Sequence, residues 1–368
     1  MARFFEEFLL TMRTKRGKYK HIKRILVKGT NWVGDTIMSF PAAHALRRLF
    51  PKADISVLVK SYLAELWKVN PDIDEVIPYT MPAGAARIFG ELQIGRLIRQ
   101  EAIDLAIIFP RSFSSAWMAF LGAIPCRIGY KGEARDWLLT DRIDCTSELL
   151  SGHRMCYYLK LIKSLGPCPS PSLPSLSLNG KMQGWANGFL ARHGLTDKLL
   201  IGFNPGATYG DAKCWPAERF AALGRRLRED YGASILVFGS SRPQENALNA
   251  AIAREIGEGC LNLSGQTSLL ELAALLHLCR LLVTNDTGTM HVATAVGTRV
   301  VAIFGPTDPR TTSPLGEGHT IIRKEVSCSP CLKRVCTEDH RCMDLIGVEE
   351  VYRTVSAHLK RRAVSVQG

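Results

Sequence analysis

Residues Leu281–His291 read L-L-V-T-N-D-T-G-T-M-H. The apolar run Leu281–Val283 ends in polar residues and a glycine, and the following M-H-V-A-T-A-V reads as a helix. Strand, turn and helix start in that order mark the place where an open α/β sheet presents backbone N–H groups to an anion. Asp286 and Thr287 fall at the strand's carboxyl end, Gly288 lets a ligand approach the backbone, and His291 returns to the same spot from the first helical turn. Taken alone, Asp286 or Thr287 is also explained as a plain N-cap.

A second switch of the same kind, Arg24–Phe40, reads R-I-L-V-K-G-T-N-W-V-G-D-T-I-M-S-F. Its strand runs into Gly29 and Gly34, and a helix is expected to open at Asp35. Asp35 is either an N-cap carboxylate or a working one. Trp32, in a glycine-flanked loop, calls for a packing or ligand role. Two such sites, one per half, predict two α/β domains facing each other across a cleft.

The rest of the chain agrees. Its 368 residues suffice for two substantial cores, and 46% hydrophobic with 22% charged residues is a globular composition. No apolar run approaches the roughly 20 residues that span a bilayer. The start, M-A-R-F-F-E-E-F-L-L-T-M, is broken by Glu6 and Glu7 and lacks a small-residue cleavage site, so it is not read as a secretory signal and a cytoplasmic location is expected. Formal charge is +13, with eight Lys or Arg against two Glu in residues 1–24. Phe4, Phe5, Phe8, Leu9 and Met12 recur at helical spacing ahead of that basic run. The segment suits an anionic membrane surface or a solvated extension. No aromatic-interleaved basic module of an RNA-binding kind is present, so nucleic acid is not an expected partner.

Strands are expected at Arg24–Lys28, Asp54–Val59, Glu75–Ile77 and Asp104–Phe109, with helices near 35–49, 61–69, 86–100 and 112–121. Residues 166–176 carry four prolines and make the linker candidate. The second half repeats the alternation, with strands at Leu199–Phe203, Ser234–Phe238, Leu281–Thr284 and Arg299–Phe304 and helices near 216–229, 242–256, 268–279 and 289–296. An amphipathic helix over Val348–Lys360 closes the chain. The resulting division is a basic extension 1–22, domains 23–175 and 176–345, and a closing helix and tail 346–368, each domain a doubly wound parallel sheet.

Strand exits in the second half converge on one ligand. The loop N-P-G-A-T-Y-G-D-A-K-C-W-P holds Asn204, Gly206, Thr208 and Lys213, donors suited to a pyrophosphate, although a lone loop lysine is usually solvated. V-F-G-S-S adds Gly239, and Glu245 is either a ribose acceptor or a surface glutamate. Neither G-x-x-x-x-G-K-[ST] nor G-x-G-x-x-G occurs, which disfavours an ATPase or a dehydrogenase. Asp72 and Asp74 spell D-x-D but follow Asn70-Pro71, and they read as a solvated turn rather than a metal site. Of eleven cysteines, Cys328, Cys331, Cys336 and Cys342 form C-x2-C-x4-C-x5-C. Thiols, a disulfide staple or a metal site remain open for them, and the role assigned is structural.

N-W-V-G-D-T, P-G-A-T-Y-G-D-A-K-C-W-P, T-N-D-T-G-T-M-H and F-G-P-T-D-P together resemble the ADP-heptose:lipopolysaccharide heptosyltransferases, heptosyltransferase II more than I, over about residues 23–360. The resemblance implies the GT-B architecture of two facing Rossmann-like domains, the first binding acceptor and the second the ADP-sugar. It also implies inverting transfer of heptose from ADP-heptose to the lipopolysaccharide inner core (Kdo/heptose-lipid A), with no metal or other cofactor. The enzyme would work peripherally at the inner face of the inner membrane. It makes Asp35 the catalytic base and Lys213 its partner in catalysis. Thr208 and Lys213 become donor-phosphate contacts and Asp286, Thr287, Gly288 and His291 the donor cradle; Asn204, Gly206, Gly239 and Glu245 join them from the strand-exit reading rather than from the resemblance. Trp32, Arg111, Ser112, Lys131 and Arg135 are assigned to the anionic acceptor, the basic ones as surface cations. Cys214 departs from the pattern, standing where an arginine is common. Outside this family, a different nucleotide-sugar enzyme or a zinc-knuckle nucleic-acid binder remain as alternatives.

Overall fold

The computed structural model describes residues 19, 21–168 and 170–360. The chain forms two compact units that divide between Pro174 and Ser175, inside the proline-bearing stretch 166–176. The first unit holds β1 (Arg24–Lys28), β2 (Asp54–Lys60), β3 (Glu75–Tyr79), β4 (Leu105–Ile108), β5 (Cys126–Tyr130) and β6 (Asp141–Ile143) in the order β3-β2-β1-β4-β5-β6. The second holds β7 (Leu200–Asn204), β8 (Ser234–Val237), β9 (Cys260–Asn262), β10 (Leu281–Asn285), β11 (Arg299–Phe304) and β12 (Thr320–Arg323) in the order β12-β11-β10-β7-β8-β9. Every strand pair in both sheets is parallel. Numbered within its own sheet, each runs third-second-first-fourth-fifth-sixth, so the order reverses between β1 and β4 and again between β7 and β10. Ligands of open α/β sheets bind at such reversals, outside the carboxyl ends of the strands.

Central strands are apolar almost throughout because helices cover both faces. All five residues of β7 and of β10 are buried, as are the four of β4. The longer helices are α1 (Val33–Leu49), α2 (Arg87–Gln100), α3 (Phe113–Leu121), α4 (Arg154–Lys163), α5 (Gly180–Arg192), α6 (Ala217–Tyr231), α7 (Pro243–Ile256), α8 (Leu269–Leu278), α9 (Gly288–Ala295) and α10 (Val348–Lys360). The last of these closes the second core: Val351, Val355 and Leu359 pack with Ile201, Phe203 and Trp215.

Two differences from expectation matter. Helix α1 opens at Val33 with Trp32 at its N-cap in an extended conformation, so Asp35 lies inside the first turn and is not the cap. Strands β5, β6, β9 and β12 and helices α4 and α5 were not expected. Of the basic extension 1–22, read as suited to an anionic membrane surface or as a solvated extension, residues 1–18 and 20 lie outside the described residues, while Tyr19 and Ile22 are buried. Among the described residues no helix is long and apolar enough to cross a membrane.

Candidate active site

In the second unit the loop after β7 and the loop after β10 meet. Lys213 Nζ donates to Asp286 Oδ2 at 2.6 Å and to the Asp286 carbonyl at 3.3 Å, and both side chains are nearly buried. Thr307 Oγ1, from the loop after β11, donates to the same Oδ2 at 2.8 Å. The ammonium is therefore not the solvated loop lysine of the alternative reading. A carboxylate aims it, and Lys213 also stands 4.9 Å above the Tyr209 ring. Asn285 fastens the two loops, donating to the Pro205 carbonyl at 2.5 Å and accepting from Trp215 N at 3.1 Å.

Helix α9 begins at this point. Its N-cap, Thr287, makes no side-chain cap hydrogen bond; its carbonyl accepts from Met290 N at 3.2 Å, and the N–H groups of Gly288 and Thr289 are not capped by its side chain. Such groups and the positive end of the helix dipole suit an anion. His291 is buried in the same helix, and Asn204 donates to the Gly206 carbonyl at 3.0 Å, shaping the β7 loop. Thr208 is exposed beside them. Glu245 is no surface glutamate: it is nearly buried and accepts from Ser240 and from Arg242 at 3.0 Å. It lies so close over the β7 and β8 loops that a Cβ at Gly206 would stand 2.1 Å from its Oε1 and one at Gly239 3.1 Å. Both positions need glycine for that approach.

In the first unit Asp35 accepts a 2.6 Å hydrogen bond at Oδ1 from the hydroxyl of Tyr158 on α4. Burial, and then the adjacent carboxylate, hold the Tyr158 phenol well above its ordinary range, so it remains a donor. Trp32 is 49% exposed at the mouth of this turn. Beneath it Lys28, at the end of β1, is buried, donates to the Gly29 carbonyl at 2.9 Å and lies 5.0 Å from the Tyr79 ring centre. Burial, helped by Lys60, lowers its pKa to about 7.

The expected acceptor cations separate. Arg111 is half-buried, and Ser112 stands at the N-cap position of α3, its hydroxyl sharing a 2.7 Å hydrogen bond with Ser115 Oγ rather than capping a backbone N–H. Lys131 is exposed and paired with Asp144 at 2.6 Å. Arg135 is not a surface cation. It is fully buried, and its guanidinium donates to the carbonyls of Tyr130 (3.0 and 2.8 Å), Pro110 (2.6 Å) and Ser112 (3.2 Å). A delocalised planar cation bears burial better than an ammonium because five N–H donors can be met by carbonyls. Its work is to hold the loop that carries Arg111 and Ser112.

A family model described as glycosyltransferase family 9 (heptosyltransferase) matches residues 92–341. The chain belongs to this family. It is 34% identical over 309 residues to lipopolysaccharide heptosyltransferase 2 of Escherichia coli (strain K12), covering 82% of this chain and 88% of that protein. The solved E. coli ADP-heptose lipopolysaccharide heptosyltransferase II superposes with a TM-score of 0.78 at 29% identity, over 92% of this chain and 99% of that one. The family 9 glycosyltransferase of Veillonella parvula gives 0.79 at 25% identity, over 92% and 97%. The two parallel α/β sheets are accordingly those of a GT-B-type glycosyltransferase.

Two motifs of this family 9 glycosyltransferase do structural work. In the D-x-D turn Asp74 is exposed as expected while Asp72 is largely covered: Asp72 is 3.2 Å from His44 Nδ1, and Asp74 accepts from Arg47 at 2.5 Å and Ile55 N at 2.7 Å, tying the end of α1 to the sheet. Cys328, Cys331, Cys336 and Cys342 line one small pocket with Ala212, Pro306 and His340. Their thiols are free, and burial together with the neighbouring sulfurs pushes Cys342 up to about 11. No group of three or more potential ligands among the described residues is arranged to hold a metal ion. The segment braces the loops after β7 and β11: Ala212 N donates to Arg334 O (3.1 Å), Tyr209 Oη to Leu332 O (2.7 Å) and Leu332 N to Pro306 O (2.9 Å).

Sequence reasoning missed Tyr158, Asn285 and Thr307 as site residues. The last two lie inside motifs already singled out, T-N-D-T-G and F-G-P-T. Tyr158 stands 123 residues from Asp35, and no local pattern marks it.

Proposed function

We propose that this glycosyltransferase moves L-glycero-D-manno-heptose from ADP-heptose to the heptose of the lipopolysaccharide inner core, with inversion at the anomeric carbon and without a metal or other cofactor. The observation that carries the reading is the N-terminus of α9, without a side-chain cap from Thr287 and flanked by a lysine aimed by Asp286, an arrangement that suits the pyrophosphate of a leaving ADP. Asp35 takes the proton of the acceptor hydroxyl as its oxygen attacks the anomeric carbon, and the bond from that carbon to ADP breaks. Lys213 and the α9 N–H groups stabilise the departing diphosphate. Thr208, Asn204 and Glu245 complete the donor side, and Trp32, Arg111, Ser112 and Lys131 meet the anionic acceptor. An acceptor of this kind is lipid-borne, so the enzyme works on the inner surface of the inner membrane.

The test is mass spectrometry of an inner-core acceptor incubated with pure enzyme and ADP-heptose, in chelator. The expected result is the gain of one heptose. Transfer only from another nucleotide sugar, or only after magnesium or manganese is returned, overturns the reading.

A further inference from the structure

We propose that the face built by α2, α3 and Trp137 in the first unit docks on an anionic lipid bilayer. The inference rests on the lipid-borne acceptor proposed above and assigns the surface that meets its membrane.

Helix α2 departs from the usual surface helix. Its exposed side includes Ile88 (63% exposed), Phe89 (74%), Leu92 and Leu97, with Arg96 and Arg99 among them. No carboxylate shares that exposed side, because Glu91 is turned inward, where it accepts from Arg87 (3.0 Å) and Ser114. Apolar side chains interleaved with arginine are the pattern of a helix lying in a bilayer interface. The hydrogen bond from Ser114 joins α2 to α3, and the two pack closely enough that a Cβ at Gly95 would meet Leu121 Cβ at 2.4 Å.

On α3, Phe113, Trp117 and Phe120 form a column with ring centres 6.1 and 5.5 Å apart. Trp137 meets all three at 6.3, 6.4 and 5.6 Å and is itself 57% exposed. The Arg127 guanidinium lies 5.5 Å from the Phe120 ring centre. An exposed aromatic and aliphatic surface of this size on one unit marks an interaction face, and rings bordered by arginine belong at the headgroup level of a membrane.

Charge selects the occupant. A second copy of this face would bring a further set of arginines and no exposed α2 carboxylate to meet them, whereas anionic headgroups complement the arginines. Position agrees: α2 follows β3 and α3 follows β4, so both begin at the carboxyl end of the first sheet, the end at which α1 carries Asp35.

The test is co-sedimentation of the full chain with phosphatidylcholine vesicles, with and without phosphatidylglycerol. The chain should bind the anionic vesicles. Ile88→Gln/Phe89→Gln/Leu92→Gln should reduce that binding at least tenfold, and Arg96→Gln/Arg99→Gln should remove the preference for phosphatidylglycerol. Both should keep turnover on a delipidated, water-soluble acceptor within about twofold. In the unsubstituted chain, brominated lipid should quench a fluorescence component that Trp137→Phe abolishes, a measurement that needs no α2 variant to fold. Undiminished vesicle binding by the triple variant, binding lost only on deleting residues 1–20, or a dimer that the triple variant dissociates would each overturn the proposal. Vesicle binding as expected with no transfer to the soluble acceptor would sink the transferase reading instead.

Discussion

Lys213 Nζ and Asp286 Oδ2 form a 2.6 Å ion pair between the loops that leave the neighbouring strands β7 and β10. Water barely reaches either side chain, so the pair gains in orientation what it costs in desolvation. Removing the ammonium alone strands a carboxylate beside the intended diphosphate. Lys213→Ala is therefore expected to cost about 3–5 kcal/mol of stability and to weaken ADP binding at the same time. Lys213→Met/Asp286→Asn should recover most of the melting temperature and little of the turnover. Thermal unfolding with ADP titration by calorimetry separates the two effects, and a double variant no more stable than Lys213→Ala would discount the pairing.

Asp35 and Tyr158 should divide their effects differently. Asp35→Asn keeps the shape and removes the proton acceptor, so turnover should fall by roughly 10²–10⁴-fold with ADP affinity unchanged. Tyr158→Phe removes one charge-assisted hydrogen bond, and kcat should fall by about 10–100-fold with donor KM unaltered. Steady-state kinetics at saturating donor and acceptor decide both. Rates within a few-fold of the parent for Asp35→Asn would take that carboxylate out of the chemistry.

Lys28 makes stability depend on pH. Its pKa of about 7 in the folded chain lies below the ordinary 10.5. Below pH 7 both folded and unfolded chains hold the proton, and the burial cost is fully present. Between pH 7 and about 10.5 the unfolded chain holds more protons, so stability climbs with pH. Lys28→Met should stabilise by a few kcal/mol, on the order expected from the shift, at pH 6, with the gain shrinking toward pH 10. Urea unfolding at the two pH values checks it; a gain independent of pH would mean that the ammonium is not desolvated.

Arg135→Leu takes the guanidinium's donors from the carbonyls of Tyr130 and Pro110, while that of Ser112 keeps Ser115 N at 3.2 Å, at about 1–3 kcal/mol for each group left unpaired. Lys131→Ala breaks an exposed pair and should change stability by no more than about 0.5 kcal/mol. Chemical denaturation of the two variants side by side should show this contrast; equal midpoints would contradict it.

The central strands were legible because burial on both faces writes them as unbroken apolar runs: β1 and β11 have the bounds expected, and β10 extends one residue further. β6 and β9 have three residues each, D-R-I and C-L-N, and depend on β5 and β8 for their pairing, so nothing local announces them. The glycine turns ahead of Asp35 and around Asp286 could be read for the same reason as the inner strands, since their chemistry is local. Arg135 could not. A charged residue reads as solvent-facing until the chain brings the carbonyls of Tyr130, Pro110 and Ser112 around it. Glu245 was obscured likewise, since only the approach of two glycine loops buries it.

The bracing of the Lys213 loop has a consequence for the order in which a growing chain matures. The first sheet is complete once Ile143 has emerged, and Tyr158 follows soon after to meet Asp35. The loop around Lys213, though translated next, leans on residues made much later: Ala212 on Arg334, Trp215 on the carbonyl of Ile346 at 2.8 Å, and Arg219 on that of Asp344 at 2.6 Å. Domains fold as they leave the ribosome, the amino-terminal one first. A ribosome halted between these points holds a finished first sheet and a Lys213 loop still lacking its backing, so the wall proposed for the sugar donor matures only after Ile346 has been made.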